Sequence, residues 1–447
     1  MTGSAPRTVY VIGGGIAGLT AAWRLQQRGV TVRVFEREPQ VGGRMCTITQ
    51  GGFRIETGAS ILGTNYTGML DLIKELGISE QWGPATAVCG FLHNGRLHRV
   101  RAASKVDFLR TPIIGVRSKL ALARVLPDLI RHRRCLDWDT MEHNADLDRL
   151  SVTEYSQRHL TREIHDRLCE PLFGGSVVLG DPTQLAAADM FFYAAKLLVP
   201  HFNSPHGVGL LPQTLADRLP VTLDATVTDV HTTDRGITLS WTHHGRPQPD
   251  AHADAAILAL PAPHVPGLLA ELPSEDAAYL RSVPYSRGLI TTFGLSHPPK
   301  ETSPTIFTTR DAHPEIAGIE LHHNKLPGRV DGDRGLITVH PRKDFTEGWW
   351  DEEDTAIAER LLQAASTILP GVRDAVLTHH VSRRDPALVV RPPGGYAQLR
   401  AFNTRRRTAD PRIQLAGDYF GPSSTYGALR SGEHAATRLL DHFTTGT

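Results

Sequence analysis

"VYVIGGGIAGLTAAWRLQQRGVTVRVFERE", from Val9 to Glu38, decides the fold of everything that follows it. Residues 9–12 form a short apolar run with β-branched side chains, suited to a buried parallel strand. Gly13, Gly15 and Gly18 then spell G-x-G-x-x-G. The first glycine allows a tight turn, the second lets backbone approach a pyrophosphate, and the third lets the next helix pack closely on the strand. The spacing predicts a helix over residues 16–28 with Ile16, Leu19, Ala22 and Trp23 on its buried face. Its first amides, at Ile16 and Ala17, would aim at phosphates. Gly29 is a natural stop, and residues 30–35 read as a second strand closed by Glu36 and Arg37. A carboxylate there can bond the two ribose hydroxyls of an adenosine. A glycine-rich turn alone says little; strand, helix, strand and terminal acid in this order predict a dinucleotide site.

The chain has 447 residues, enough for two or three domains and a large core. Apolar residues make up 40% and the net charge is +1, which argues against disorder and against bulk nucleic-acid binding. Cys46, Cys89, Cys135 and Cys169 are scattered without C-x-x-C spacing, as expected of a reducing cytoplasm rather than a disulfide or zinc framework. "MTGSAPRT" leads straight into the first strand without the pattern of a secretory signal, and no apolar run approaches the length of a spanning helix. The adjacent pairs His243–His244, His322–His323 and His379–His380 would point to opposite faces of a strand, so no metal site is expected from them.

Whether the dinucleotide carries nicotinamide or flavin turns on two further stretches. "REPQVGGRMCTITQGGFRIETGASIL" puts Gly42, Gly43 and Arg44 just after the second strand, where the chain can fold back and Arg44 can reach a pyrophosphate. Gly58, Ala59 and Ser60 add a small-residue wall against which a ring system could lie. At the far end, "RIQLAGDYFGPSSTYGALRSGEHAATRLL" offers a strand, then Gly417 and Asp418, then a helix opening near Gly427 and Ala428. Asp418 is placed to bond ribityl hydroxyls or to orient water at the phosphates. Amides near Ala428 would face the pyrimidine end of a flavin, where negative charge develops on reduction.

Together these stretches resemble the FAD-dependent amine-oxidase superfamily, and most closely its protoporphyrinogen-oxidase-like and phytoene-desaturase-like branch. "DRLCEPLFGGSVVLGDPTQLA" is similar to that branch's helical middle segment, and "PHGVGLLPQTLADRLPVTLDATVTDV" to its return into the cofactor domain. The resemblance implies an α/β chain with a glutathione-reductase-like Rossmann FAD-binding domain, a mixed-sheet substrate domain and a helical insert. It implies non-covalent FAD, lined by Gly43, Arg44, Gly58, Asp418, Gly427 and Ala428, with Val227 contacting adenine through its backbone and Pro261 near the cofactor. No cysteine lies beyond Cys169 to form a thioether, and Gly207-x-Gly209-x-x-Pro212 fails as a second dinucleotide motif. Electrons are therefore expected to leave to dioxygen or another acceptor.

The chain is expected to visit the FAD-binding domain three times, at residues 1–85, 203–284 and 384–447. Residues 86–105 and 285–383 would form the substrate domain, with a hairpin over 91–100 turning at Asn94-Gly95, strands at "GLITTFGL" and "GLITVHP", and a helix over 351–368. Residues 106–202 would be the helical insert. Its first part, "SKVDFLRTPIIGVRSKLALARVLPDLIRHRRC", interleaves apolar residues with eight lysines and arginines, the pattern of an interfacial helix as well as of a solvated basic face. A homodimer is the commonest state for such a chain.

A flavin can accept a hydride from carbon, so the protein's task is a dry, orienting pocket, and the chain shows no catalytic triad. The expected reaction removes a hydride and a proton from a largely apolar small molecule to form C=C or C=N. Ser60, Tyr396 and Tyr426 are the candidates for orienting substrate, with an ordinary structural role as the competing reading of each tyrosine. Amine-oxidising relatives carry a strand lysine that this chain replaces with Ile290, with no lysine from Val283 to Leu295. That departure disfavours amine oxidation. It leaves open a flavin-dependent isomerase or cyclase with no net redox change, and a cofactor-binding protein without catalysis.

Overall fold

The computed structural model describes residues 7–86, 88–101, 104–144, 146–176, 180–196 and 199–445. The N-terminal residues 1–6 and residues 177–179 of the middle segment quoted above lie outside the described residues.

The first motif builds what it encodes. Thr8–Ile12 and Thr31–Phe35 are parallel neighbours with Val9 opposite Val32, joined by the helix Ile16–Gln26. These strands are central in a five-stranded parallel sheet ordered Val221–Thr222, Thr31–Phe35, Thr8–Ile12, Ala255–Leu258, Ile413–Leu415. Val9, Val11, Ala255 and Ile257 are wholly buried: the helix Ile16–Gln26 covers one face of the sheet, and the antiparallel strands Ala225–Thr233 and Gly236–His243 cover the other, where Trp241 meets the Phe35 ring edge-on at 5.1 Å. Its strands come from the beginning, middle and end of the chain, so the sheet is complete only when distant segments meet. The C-terminal helix Thr425–Thr445 seals it by lying on Ile16–Gln26, where a Cβ on Gly432 would sit 2.1 Å from the Ala17 carbonyl oxygen. Backbone touches backbone there.

A seven-stranded mixed sheet stands beside this layer, in the order Val376–Arg384, Gly288–Leu295, Gly335–Pro341, Ile316–Leu321, Thr305–Thr308, Val88–His93, Arg96–Arg101. Its Thr305–Thr308/Val88–His93 pair is parallel and the rest are antiparallel. The two strands at Gly288–Leu295 and Gly335–Pro341 match the expected apolar runs, and Asn94 and Gly95, at φ +50° and +69°, make the expected hairpin turn. Alternation splits the sheet's two faces. Leu289, Phe293, Ile319, Ile337 and Val339 pack under the helix Asp354–Ser366, while Ile290, Thr305, Phe307, Glu320 and His340 face a cavity. The helix is trimmed at both ends relative to the sequence reading. A further helix, Lys343–Trp349, was not foreseen; its stacked Phe345 and Trp349 rings do not stand out as a periodic stripe.

Between Ser104 and Lys196 the described chain is short helices and turns, including two π-helical stretches at His165–Cys169 and Leu172–Ser176. His201–Asn203 then returns to extended structure, pairing with Leu62–Gly63 and Gly83–Ala85. Among the described residues no helix is long and apolar enough to cross a membrane.

Candidate active site

The three layers enclose one cavity of about 1560 Å³. Its narrow end is the carboxyl edge of the parallel sheet. Gly13 adopts φ +107°, and a Cβ there would meet the Ala259 carbonyl oxygen at 2.4 Å, so the turn requires glycine. Gly18 lies beneath the wall rather than in it: its Cβ would meet the Gly13 carbonyl oxygen at 2.0 Å. Gly15 has nothing within 4 Å of a Cβ, and a Cβ on Gly43 would come 3.7 Å from Gly15 Cα. The two glycines form an open backbone cradle that a side chain would fill, which fits a pyrophosphate. Ile16, Ala17, Arg37, Val227, Pro261, Gly417 and Ala428 complete this end.

Glu36 is buried, and burial raises its pKa above the ordinary carboxylate range. Its Oε2 accepts the Gly14 amide at 2.6 Å and its Oε1 the Glu38 amide at 2.9 Å. The carboxylate is thus fixed before any ribose arrives, with lone pairs to spare.

Arg44 and Asp418 meet each other. Arg44 donates from Nη1 to Asp418 Oδ2 at 2.6 Å and from Nη2 to Oδ1 at 3.0 Å, with a third bond from Nη1 to the Ala387 carbonyl at 2.7 Å. The sequence reading sent these side chains separately to the pyrophosphate and the ribityl chain; a bidentate fork between them is the arrangement found. Tyr285 and Ser423 donate their hydroxyls to Asp418 at 3.2 and 2.9 Å. Tyr285 lies in "VPYSRG", at the start of the stretch that lacks the strand lysine.

The wall residues Gly58, Ala59 and Ser60 line the cavity as expected. The Ser60 hydroxyl, however, is committed to Glu320, 2.7 Å from each carboxylate oxygen, and its carbonyl accepts from Asn203 at 2.8 Å and Lys325 at 3.1 Å. Burial alone would raise Glu320; Lys325, His340 and the Ser60 hydroxyl instead hold its carboxyl down at about 2. Lys325 bonds Glu320 Oε2 at 2.9 Å and does not reach the cavity, so it does not replace the strand lysine, whose place on the cavity wall Ile290 takes. His340 does face the cavity, burial lowering its pKa; among the described residues neither ring nitrogen is hydrogen-bonded, although Nε2 lies 3.8 Å from Glu320 Oε1. Sequence gave no sign of this cluster, because only strand register brings Glu320 and His340 to one face.

Both candidate tyrosines are absent from the cavity wall. Tyr396 is wholly buried, donating to Asp189 at 2.6 Å with the Arg391 guanidinium 4.9 Å from its ring centroid. Tyr426 bonds the Gly68 amide at 3.0 Å and stacks on Tyr66 at 5.0 Å; Tyr66 is the ring that reaches the cavity. In each case the phenol found a polar partner, and the ring packs against a guanidinium at Tyr396 and against another tyrosine at Tyr426. Gly427 also turns away, its amide bonded to Ser424 Oγ at 2.8 Å and its α-carbon facing Pro422 and Trp138. The helix opens earlier than expected, at Thr425, which lines the cavity with Ser423 and Ala428.

The wide end is apolar. From residues 86–202 its lining includes Phe91, Phe108, Ile113, Leu126, Ile164, Phe173, Met190 and Phe191, and no aspartate, glutamate, lysine or arginine among the described residues.

This chain matches the flavin containing amine oxidoreductase family over residues 16–440 and belongs to it. A mitochondrial protoporphyrinogen oxidase from Nicotiana tabacum is 28% identical over 42% of this chain, and the match spans only 36% of that protein. A coproporphyrinogen III oxidase from Mycobacterium bovis is 27% identical over 98% of both chains. A carotenoid phi-ring synthase from Streptomyces griseus is 26% identical over 99% of this chain and 89% of that one. Among solved structures, cyclohexylamine oxidase from Brevibacterium oxydans superposes with a TM-score of 0.78 at 17% identity, covering 98% of this chain and all (100%) of that one, which shows a shared fold. Membership makes the chain a flavin-containing oxidoreductase.

Proposed function

We propose that this enzyme dehydrogenates an uncharged, largely apolar metabolite, taking a hydride and a proton from adjacent atoms to form C=C or C=N, with dioxygen or another acceptor receiving the electrons. The observation that carries this reading is the apolar wall that residues 86–202 give the wide end of the cavity, opening directly from a cradle suited to a dinucleotide. When bound, FAD supplies hydride acceptance; the chain supplies position and dryness.

In this reading the scaffold is of the glutathione-reductase type. Glu36 takes the adenosine ribose, Val227 flanks the adenine, Gly13 to Ala17 and Gly43 receive the pyrophosphate, and the Arg44–Asp418 fork braces the ribityl end. With the Gly427 and Ala428 amides spent on Ser424, the N-terminal end of the helix at Thr425 would face the pyrimidine side. Residues 1–85, 203–284 and 384–447 hold the cofactor, while 86–105, 106–202 and 285–383 enclose the substrate. A substrate bearing several carboxylates, as a coproporphyrinogen does, would find no counter-charge on that wall. A polyene would find none missing.

The test is anaerobic mixing of holoenzyme with a carotenoid in detergent micelles and, separately, with coproporphyrinogen III. Bleaching of the flavin band by the polyene supports the reading, and bleaching by coproporphyrinogen alone overturns the uncharged-substrate part of it. Peroxide formation in air identifies an oxidase. A product of unchanged mass formed without an acceptor would select an isomerase or cyclase instead.

A further inference from the structure

We propose that His201, Thr305 and Glu320 form a polar anchor in the substrate chamber, and that it selects an apolar substrate bearing one uncharged hydroxyl. The inference rests on the apolar-substrate reading above and names the polar part of that substrate. Three segments far apart in sequence bring these side chains to one place. Thr305 and Glu320 are opposite residues of antiparallel neighbours, so they stand side by side on the face that lines the cavity. Asn203 donates to the Ser60 carbonyl at 2.8 Å, and the Ser60 hydroxyl binds Glu320. His201 precedes Asn203 by two residues on the same strand, so it points to the same side, and it too lines the cavity. Phe307, two residues beyond Thr305, and Ile290 give the neighbouring wall its apolar character.

The fold leaves these groups with capacity to spare. Among the described residues no hydrogen bond reaches the Thr305 hydroxyl or the His201 ring, although Thr305 is buried. Glu320 Oε2 takes both Ser60 and Lys325, whereas Oε1 takes Ser60 alone. His340 Nε2, at 3.8 Å, stands beyond hydrogen-bond reach of Oε1. Burial, and then the Lys325 charge, lower the His201 pKa, which favours a neutral ring with one donor and one acceptor. Ser60 and Lys325 are positioning residues here: they fix the carboxylate from behind.

Charge decides which polar group fits. Lys325 answers the Glu320 charge from inside the wall, at 2.9 Å. The anchor therefore offers no spare cation to a carboxylate and no spare anion to an ammonium. What remains is an acceptor in Glu320 and donors in Thr305 and His201. A hydroxyl uses both kinds, donating to the carboxylate while accepting from a donor beside it. An ether or a carbonyl only accepts, and a plain hydrocarbon leaves all three groups unmet. The apolar remainder of such a molecule would lie along Phe307 and the wall given by residues 86–202.

Full-length holoprotein should be dialysed to equilibrium against biphenyl, para-hydroxybiphenyl and para-biphenylcarboxylate, three probes that share one skeleton. The expected result is para-hydroxybiphenyl bound at least about tenfold more tightly than either of the others. The double variant His201→Leu/Thr305→Val removes both free donors. It should cut that advantage at least about threefold while leaving biphenyl affinity and flavin content unchanged. If the double variant loses its flavin, Thr305→Val alone, which keeps the shape of the side chain, should lower the same ratio. Equal binding of para-hydroxybiphenyl and biphenyl overturns the anchor and leaves the apolar-substrate reading standing, as does a preference that the variants retain in full. Tightest binding of the carboxylate also overturns it, because that would reveal a free cation in the chamber. Binding of none of the three overturns the apolar-substrate reading, and the anchor falls with it. Failure of the polyene to bleach the flavin leaves the dialysis result standing.

Discussion

The two ends of the cavity are built by opposite means. At the narrow end, position is set by backbone: Gly13, Gly18 and Gly432 each leave no room for a single carbon, and the polar groups are locked by amides or by a bidentate fork. At the wide end, position is set by many interchangeable apolar side chains on short helices and one face of a twisted sheet. The first kind of construction tolerates almost no substitution; the second tolerates a great deal and tunes by shape.

The contrast is breakable, most severely at Gly18. Gly18→Val would drive its side chain into the Gly13 carbonyl, and the expected outcome is protein without bound flavin, or no folded protein, read by absorbance and circular dichroism. If Gly18→Val purified yellow, the backbone account of the narrow end would fail. Next in size, Asp418→Ala leaves the buried side of Arg44 without its counter-charge. Breaking such a pair costs roughly 3–5 kcal/mol, so FAD affinity measured by titration of the stripped protein should fall at least a hundredfold.

The wide end should respond differently. Phe307→Ala, on the cavity face of the mixed sheet, should leave flavin content intact and raise KM for an apolar substrate about tenfold or more, as expected for roughly 1–3 kcal/mol of lost packing. Equal losses in flavin content from Phe307→Ala and Asp418→Ala would erase the distinction.

The smallest effect lies in the core behind both ends. Burial raises the Asp189 carboxyl to about 7, against an unfolded value of about 4. Between those values the folded state holds a proton that the unfolded state has lost, so stability from this group falls as pH rises and levels off above 7. Relative to Asp189→Asn, the wild-type melting temperature should therefore decline between about pH 4 and pH 7; a flat difference would place Asp189 in a more polar setting than its contacts indicate.

The same division explains what the sequence disclosed. Gly13 and Gly18 were legible because a tight strand-to-helix turn constrains consecutive backbone atoms, and consecutive atoms are what a sequence orders. Arg44 and Asp418 were each legible as polar groups bound for the cofactor, but 374 positions separate them, and nothing local announces that they meet. Tyr396 and Tyr426 misled because a tyrosine beside a glycine-rich turn serves a buried hydrogen bond as readily as a ligand. Tyr285, Glu320 and His340 were invisible because register alone decides which side of a strand faces inward.

The helix from Thr425 to Thr445, locked backbone-to-backbone on the first helix through Gly432 and Ala17, sets an order of events during synthesis. The ribosome delivers the nucleotide-facing glycines first and their lid last, so a nascent chain must carry a half-built, open cleft through several hundred rounds of elongation. Closure of the narrow end therefore waits until this helix has emerged and docked on the first.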